Sequence, residues 1–324
     1  MGTIWNKKIV IICMAVVATV LWGSAYPSVK AGYELFSIAA DDIGSKIVFA
    51  GYRFSIAGIV VLLFSRFLSG REQDCVEKNT RKRNSGKRII GILLLGLMQT
   101  TAQYIFFYLG MANTTGARGS IINASGAFFG VLLAPLFYKD DWLSVRKIAG
   151  CLVGFAGIVL INMDGTSLFG FTLLGEGFVM FAALAQALAS FYSKRLVRET
   201  NVMVVTGGQL LLGGIPLLLI GYGLGGSLEA NPKGILLLTY MIFLSAVAFT
   251  VWTQLLKYNP VSEIAIYNLL IPVFGTLLSG IFLREHIFDL VHLLSILLVC
   301  MGIMFVNTTG RRGNYEKYSV EDQL

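Results

Sequence analysis

The sequence predicts an all-helical membrane protein with ten transmembrane helices arranged as two inverted five-helix repeats. Three observations predict this fold class: an apolar composition, a series of long apolar runs, and an internal duplication. Of the 324 residues, 56% are hydrophobic and only 14% are charged, whereas soluble domains carry roughly 25% charge. This composition argues against an ordinary soluble enzyme, a disordered chain or a secreted disulfide scaffold, and it favours a polytopic helical membrane protein.

Ten apolar runs follow one another along the chain. Most have about 17 to 23 residues, which is enough to cross a hydrocarbon core of about 30 Å at 1.5 Å per residue. We expect the first run to be a retained helix and not a cleaved signal peptide, because the internal repeat uses it as a full helix. The runs cover residues 9–28, 47–67, 89–111, 120–138, 148–162, 171–193, 202–222, 234–256, 264–283 and 290–306.

The distribution of basic residues predicts the orientation in the membrane. If the amino terminus lies inside, most of the 26 basic residues fall on the cytoplasmic side, including the cluster at 71–88. The positive-inside rule selects this orientation, which places both termini in the cytoplasm and the protein in a plasma membrane of the bacterial inner-membrane type. The 71–88 cluster could also bind anionic lipid or RNA, but we interpret it as a topology signal and expect no nucleic acid partner. The basic residues left outside are Lys30, Lys46, Arg118, Lys233 and Arg284, while Arg53 falls within a span.

The internal duplication aligns residues 107–162 with residues 252–307 at a constant offset and without a gap. The matched pairs include Asn123 with Asn268 and Gly157 with Gly302. Five spans per half is an odd number, so the second copy must enter the membrane from the opposite side. Inverted repeats of this kind are typical of transporters that bind substrate near the bilayer midplane. We therefore divide the chain into a first repeat at 1–165, a second repeat at 166–310 and a cytoplasmic tail at 311–324.

Short motifs occur in a fixed order in both halves. In the first half they are Leu21-Trp22-Gly23-Ser24 with Lys30, then Arg53-Phe54, then Gly154, Gly157 and Ile158. In the second half they are Pro272-Val273-Phe274-Gly275, Leu283-Arg284-Glu285 and Gly302. With the duplicated unit, they resemble the drug/metabolite transporter superfamily, specifically its EamA-type ten-helix members. Two positions depart from that pattern: Ala127 stands where the first copy often has proline, and Asp140 replaces the usual glutamate. The resemblance implies export or facilitated passage of small metabolites, often amino acids or related compounds, through a central cavity.

Polar and aromatic side chains inside the spans are the candidate substrate-binding residues, because polar groups are expensive in a bilayer and so mark pathways. Gln99 and Gln103 stand four residues apart, which predicts one helix face lining the cavity. The alternatives are interhelical hydrogen bonding for the polar residues and interfacial anchoring for Trp and Tyr. The full candidate set is Trp22, Tyr26, Arg53, Gln99, Gln103, Asn123, Glu176, Gln186, Tyr267 and Asn268.

Two charged residues fall at similar depths in the outward halves of their spans, Arg53 in the second and Glu176 in the sixth. An unpaired charge there costs a few kcal/mol by insertion scales. The two side chains could therefore pair with each other, or Arg53 could hold a substrate carboxylate. Snorkelling of Arg53 to the outer interface is the third alternative.

Pro272 is the candidate hinge or gate. It has no amide hydrogen to donate to the carbonyl of Asn268, and its ring bends the helix. The carbonyl left free persists in a bilayer only against protein or a watered cavity. We expect Asn268 and its repeat mate Asn123 to flank the substrate site from opposite sides, the alternative being a static bend.

The sequence contains none of three common enzyme motifs: the phosphate-binding GxxxxGK[ST], the zinc-binding HExxH and the nucleophile motif GxSxG. We therefore expect no catalytic residues, no cofactor and no metal. The predicted function is transport of a small organic metabolite, an amino acid or related compound, by alternating access and in the direction of efflux. The expected partners are this substrate and the lipid bilayer, and the sequence leaves monomer and homodimer open. The alternative is a membrane-embedded enzyme acting on a lipid or isoprenoid substrate.

The orientation gives the first testable prediction. In intact cells, native Cys75 is expected to resist an impermeant thiol reagent, because the 69–86 loop lies inside. A cysteine placed at Asp41 is expected to react readily, because the 32–45 loop faces out. The reverse labelling pattern would exclude both this orientation and the inverted repeat.

Overall fold

The computed structural model describes residues 8–69, 85–137, 144–161, 171–258, 266–285 and 289–308. Several features of the sequence lie outside these ranges. They are most of the basic cluster at 71–88 with Cys75, the Lys139-Asp140 pair, and the tail at 311–324.

The regular elements in the described ranges are all helices, and each of the ten apolar runs falls on a helical segment. In the first half, α1 is Lys8–Leu35, α2 Ile43–Ser69, α3 Ser85–Gly96, α4 Gln103–Ala112, α5 Gly116–Asn123, α6 Ser125–Phe137 and α7 Val145–Ile161. In the second half, α8 is Phe178–Glu199, α9 Val202–Gly223, α10 Pro232–Tyr258, α11 Leu270–Leu283 and α12 Leu290–Thr308. A π-helical segment, Leu97–Ala102, joins α3 to α4, and another, Leu173–Gly177, precedes α8; a 3₁₀ turn, Ile266–Leu269, precedes α11.

The helix lengths and compositions confirm an all-α membrane protein. Six helical segments among the described residues are long and apolar enough to cross a bilayer: Ile9–Leu35, Ile43–Phe67, Gly86–Ala112, Leu173–Val197, Val202–Gly223 and Pro232–Leu255. Leu270–Leu283 and Leu290–Gly302 are shorter apolar helices. Large apolar side chains such as Phe64, Leu219, Leu236 and Phe243 are exposed on the outer surface of the bundle. Lipid tails cover such a surface at no cost.

The first helix is longer than its apolar run. The sequence predicts a loop from residue 32, but α1 continues to Leu35. The aromatic rings of Tyr33 and Phe36 both pack against Phe49 of α2, with centroids 6.4 and 5.5 Å apart. Because this aromatic contact lies at the predicted loop, it extends α1 by two turns and shortens the connection to α2.

Helices α2 and α9 are antiparallel, and their backbones touch. Each carries glycine at every seventh position along the contact. A Cβ atom on Gly214 would lie 2.5 Å from the amide nitrogen of Ser55, and one on Gly58 would lie 2.7 Å from the carbonyl oxygen of Gly207. These distances leave no room for any side chain, so glycine is required for the approach. The glycines are Gly44, Gly51 and Gly58 in α2 and Gly207, Gly214 and Gly221 in α9.

Two further antiparallel helix pairs connect the first half of the chain to the second. In α7 and α12, a Cβ atom on Gly302 would lie 2.5 Å from the carbonyl oxygen of Gly150, and one on Gly157 would lie 2.7 Å from that of Ser295. In α5 and α11, a Cβ atom on Gly275 would lie 2.5 Å from Cβ of Ser120. Small residues therefore mark each of these three contacts between the halves.

A helix interruption occurs at the same place in both halves. In the first half, Ala124 separates α5 from α6, which begins at Ser125. In the second half, the 3₁₀ turn ends at Leu269 and α11 begins at Leu270, the repeat mate of Ser125. Only the second interruption is followed by a proline, since Ala127 occupies the position that corresponds to Pro272. An interruption at this point therefore forms without proline.

The contact between α2 and α9 gives the second testable prediction. Gly58→Ala is expected to lower the thermal unfolding midpoint in detergent, because its methyl group meets backbone atoms that cannot turn aside; overpacking costs typically about 1–3 kcal/mol. Gly130→Ala is the matched control, since no atom lies within 4 Å of a Cβ added there. It is expected to leave the midpoint unchanged or to raise it, because alanine favours helix. Equal midpoints for the two variants would contradict the close packing.

Candidate functional site

Arg53 lies at the centre of the bundle. It is only 1% exposed. Its Nε donates a hydrogen bond to Oγ of Ser245 in α10 (2.7 Å), and one terminal nitrogen donates to the hydroxyl of Tyr108 in α4 (3.2 Å). The guanidinium carbon lies 4.7 Å from the ring centroid of Phe54 and 5.9 Å from that of Tyr104. Arg53 therefore does not snorkel to the interface; hydrogen bonds and cation–π contacts hold it inside the protein.

The charge of Arg53 has no carboxylate partner. Among the residues that the structure describes, no Asp or Glu oxygen lies within 4 Å of its guanidinium. Two neutral hydroxyl acceptors and two ring faces offset only part of the cost of burying a cation, which amounts to several kcal/mol. The arrangement is suited to receive an anionic group from a ligand, and a planar guanidinium binds a carboxylate through two parallel hydrogen bonds.

Aromatic rings surround Arg53. Tyr104 and Phe107 of α4 are 5.8 Å apart, and Phe107 lies 5.6 Å from Tyr26 of α1. The side chain of Asn123 lies close to the hydroxyl of Tyr26. Three predicted site residues thus lie in one aromatic cluster: Arg53, Tyr26 and Asn123. Trp22 contacts a different pair of rings, Phe249 at 5.6 Å and Trp252 at 5.1 Å, and packs against the same hydrophobic core.

Gln103 is a buried polar residue at the start of α4, and Gln99 is a half-buried one four residues before it. Gln103 is 4% exposed, and the side-chain carbonyl oxygens of both glutamines lack a hydrogen-bond partner. The predicted α-helical spacing does not hold, because Gln99 lies in the π-helical segment and Gln103 begins α4. Such π-helical insertions frequently occur at functional sites. An unpaired buried amide oxygen is costly, so both groups are available to a polar ligand.

Glu176 belongs to a different part of the molecule. It is 2% exposed, and its carboxylate accepts hydrogen bonds from Oγ1 of Thr114 (2.7 Å) and from the nitrogen and Oγ1 of Thr172 (2.9 and 2.8 Å). Glu176 therefore does not pair with Arg53. It borders a cleft of about 340 Å³ that is also lined by Lys30, Ala112, Asn113, Thr114, Thr115, Arg118 and Thr172.

The remaining predicted residues lie away from Arg53. Tyr267 packs with Trp252 against a small cluster around Leu255, and Asn268 is half-buried in the 3₁₀ turn before α11. Gln186 is half-buried in the middle of α8. Pro272 is buried in the first turn of α11, and its carbonyl oxygen lies 3.5 Å from Oγ of Ser120 in α5.

Three residues that make hydrogen bonds in and beside this cluster, Tyr33, Tyr108 and Ser245, were not predicted from the sequence. Tyr33 donates a hydrogen bond from its hydroxyl to the carbonyl of Tyr108 (2.6 Å), and Ser245 accepts from Arg53. A usable signal existed for Tyr108, because Tyr104 and Tyr108 are spaced by four residues on a single helix face. Ser245 gave no signal, since a single serine in an apolar helix is common.

Comparison with known proteins places this site in a family context. The model of the EamA-like transporter family matches two successive stretches, residues 9–163 and 173–308. An uncharacterized transporter of Archaeoglobus fulgidus is 23% identical over 86% of this chain and 91% of that protein. An uncharacterized transporter of Methanothermobacter thermautotrophicus is 27% identical over 90% of this chain and 88% of that protein.

Two further matches agree with these. A chloroplastic WAT1-related protein of Arabidopsis thaliana is 24% identical over 88% of this chain and 66% of that protein. A solved crystal structure of a protein at 16% identity has a TM-score of 0.66 and covers 94% of this chain and 98% of that chain, which supports the fold. The matching family and the two archaeal relatives are named as transporters. The chain belongs to the EamA-like transporter family.

Proposed function

We propose that this protein is a ten-span transporter of the plasma membrane, built from two inverted five-helix repeats, which exports a small carboxylate-bearing metabolite by alternating access. An amino acid or a related compound fits this description. The observation that supports this proposal most strongly is the environment of Arg53. This residue is a buried cation without a carboxylate partner among the described residues, and aromatic rings surround it. Proton or ion coupling, a cofactor and a nucleic acid partner are not part of the proposal.

The inverted repeat is supported by which helices pair across the two halves. The helices of each pair belong to corresponding apolar runs of the two halves: the second run for α2 and α9, the fourth for α5 and α11, and the fifth for α7 and α12. Each pair is antiparallel with small residues at its contact. A two-fold axis in the membrane plane relates equivalent helices in this way. The two stretches matched by the family model agree with the same division.

The substrate site that we propose has a centre and a periphery. Arg53 binds the carboxylate, while Tyr26 and Trp22 provide apolar walls. Gln99 and Gln103 offer unpaired amide oxygens to a substrate amine or hydroxyl. Asn123, which lies close to Tyr26, belongs to the wall of this site. The residues that we assign to later stages of the path, after a change of conformation, are Glu176, Gln186, Tyr267 and Asn268.

Pro272 acts in this proposal as the hinge between the 3₁₀ turn and α11. The first half forms its interruption without proline, so the role of Pro272 is to prevent the turn from joining the helix. Without an amide hydrogen at Pro272, the carbonyl of Asn268 cannot become part of a continuous helix. The second interruption thereby stays open in every conformation of the cycle.

The third testable prediction concerns Arg53. Wild-type protein in proteoliposomes is expected to exchange a radiolabelled carboxylate-bearing solute unchanged, in a counterflow screen of amino acids, sugar phosphates and cationic drugs. Arg53→Gln is expected to reduce this exchange about 10- to 100-fold, because a hydrogen bond to a charged group is worth about 1.5–3 kcal/mol. Lys233→Gln, which removes an exposed charge at the start of α10, is the matched control. Exchange by Arg53→Gln at the wild-type rate would refute the site, and conversion of the solute would indicate an enzyme.

The fourth testable prediction concerns Pro272. Pro272→Ala is expected to slow counterflow while leaving insertion and the detergent elution profile intact, because it allows the 3₁₀ turn to join α11 and stiffens this part of the chain. Pro135→Ala, at a proline inside α6, is the control and is expected to transport normally. Should Pro272→Ala and Asn268→Ala both transport at the wild-type rate with unchanged apparent affinity, the hinge and the assignment of Asn268 are wrong.

A further inference from the structure

A second buried cation lies on α2. Lys46 is in the first turn of the helix and is only 2% exposed. Its ammonium group donates a hydrogen bond to the carbonyl of Ala40 and lies 5.9 Å from the ring centroid of Tyr33. From the sequence, Lys46 was predicted at the outer end of a span and was used only in comparing the numbers of basic residues on the two sides of the membrane. Its burial was not expected.

Lys46, like Arg53, has no carboxylate partner within 4 Å among the described residues. Asp41 and Asp42 are its acidic neighbours in sequence and attract it from a longer distance. Asp42 is engaged elsewhere, because Oδ1 accepts a hydrogen bond from the amide of Ser45 (2.9 Å) at the start of α2. Hydrogen bonds from the side chain and the backbone of Ser45 hold the pKa of Asp42 below its ordinary value. The carboxylate nearest in sequence to Lys46 therefore serves as a helix cap.

Lys46 and Arg53 are seven residues apart and so project from the same face of α2, about 10 Å apart along its axis. Three aromatic rings lie on this face beside and between them: Tyr33, Phe49 and Tyr108. The ring centroids of Tyr33 and Phe49 are 6.4 Å apart, those of Phe49 and Tyr108 are 5.8 Å apart, and those of Tyr33 and Tyr108 are 6.3 Å apart. We call these three rings the aromatic layer. Ala50 lies on the same face and is completely buried.

Two like charges on one buried helix face raise each other's free energy, and each has also lost most of its hydration. Capping the carbonyl of Ala40 does not require a charge, because a neutral amide donates the same hydrogen bond. A negatively charged ligand compensates both costs when it occupies this face. The two cations are therefore explained together by an anion that moves past the aromatic layer.

We propose that Lys46 forms a second anion-binding subsite, on the opposite side of the aromatic layer from Arg53, which receives the carboxylate of the substrate as it leaves Arg53 toward the outside. This inference rests on the proposed function and on the proposed orientation. It narrows the substrates to compounds with at least one negatively charged group. Displacement of Tyr33, Phe49 and Tyr108 opens the route between the two subsites.

The fifth testable prediction measures the positive potential between the two subsites without knowledge of the substrate. Ala50→Cys is made in a chain whose native Cys13, Cys75, Cys151 and Cys300 have been replaced. Two reagents are compared in proteoliposomes: the anionic sulfonatoethyl methanethiosulfonate and the cationic trimethylammonioethyl methanethiosulfonate. Each reaction rate with the cysteine at position 50 is divided by the rate of the same reagent with a free thiol. The reagent ratio is the corrected rate of the anionic reagent divided by that of the cationic one. The anionic reagent is expected to be favoured. Lys46→Gln is expected to lower the ratio about tenfold, because the lost charge acts on the two reagents with opposite sign.

Two controls accompany this measurement. Lys233→Gln removes a charge at the start of α10, outside the aromatic layer, and is expected to leave the ratio unchanged. Lys46→Met, which keeps most of the apolar stem, repeats the test if Lys46→Gln does not fold, and Lys46→Arg is expected to retain the ratio. An unchanged ratio in the neutral Lys46 variants would overturn the subsite. A cysteine at position 50 that reacts with neither reagent would also overturn it, because the face would then be sealed from the aqueous path.

The outcomes for the two sites can be separated. If Arg53→Gln abolishes counterflow but the neutral Lys46 variants change neither counterflow nor the reagent ratio, the second subsite fails and the proposed function stands. If Arg53→Gln transports normally while Lys46→Gln lowers the ratio, the proposed Arg53 site fails. Lys46 then remains an anion-binding group on the aqueous path.

Discussion

The contact between the backbones of α2 and α9 is the interaction on which the position of the site depends. Arg53 lies on α2 between Gly51 and Gly58, and the opposite face of the same stretch is locked against α9 by contacts such as that between Ser55 and Gly214. In a bilayer, apolar burial does not draw helices together, so close packing and hydrogen bonds must do so. The glycines supply the packing. They also leave α2 one free face, which presents Arg53 and its aromatic neighbours to the centre of the bundle.

Much of this arrangement is visible in the sequence, because membrane helices have a simple physical signature. Apolar runs predict helices, since unpaired backbone groups are not tolerated in lipid, and each run falls on a helical segment. Arg53 was identified because a charge inside a span is expensive. Asn123 was proposed as a polar side chain inside a span, and Tyr26 and Trp22 as aromatic walls. In the structure Tyr26 packs on Phe107, and Asn123 lies close to Tyr26.

The features of the site that were not predicted depend on tertiary contacts, which a pattern along the sequence does not contain. Lys46 was assigned to the outer surface because a lysine near a span end normally snorkels to water; aromatic packing extends α1 and covers it. Glu176 and Arg53 have similar predicted depths, but depth does not specify which side of the bundle a residue faces. The prediction that Gln99 and Gln103 share one helix face assumes a regular α-helix. The π-helical segment at Gln99 changes the number of residues per turn there. For Pro272, the matching interruption at Ala124 forms without a proline, so proline alone does not account for these breaks.

The glycine contact also has a consequence for biogenesis. Gly51 and its contact region on α9 are separated by about 160 residues of chain, so at a synthesis rate of about 5–20 residues per second α2 waits on the order of ten seconds for its partner. During this interval the flat glycine face of α2 is covered by lipid, and Arg53 resides in the membrane before Ser245 of α10 has been made. The first half therefore cannot complete its packing alone. Its final fold is reached only after most of the second half has entered the bilayer.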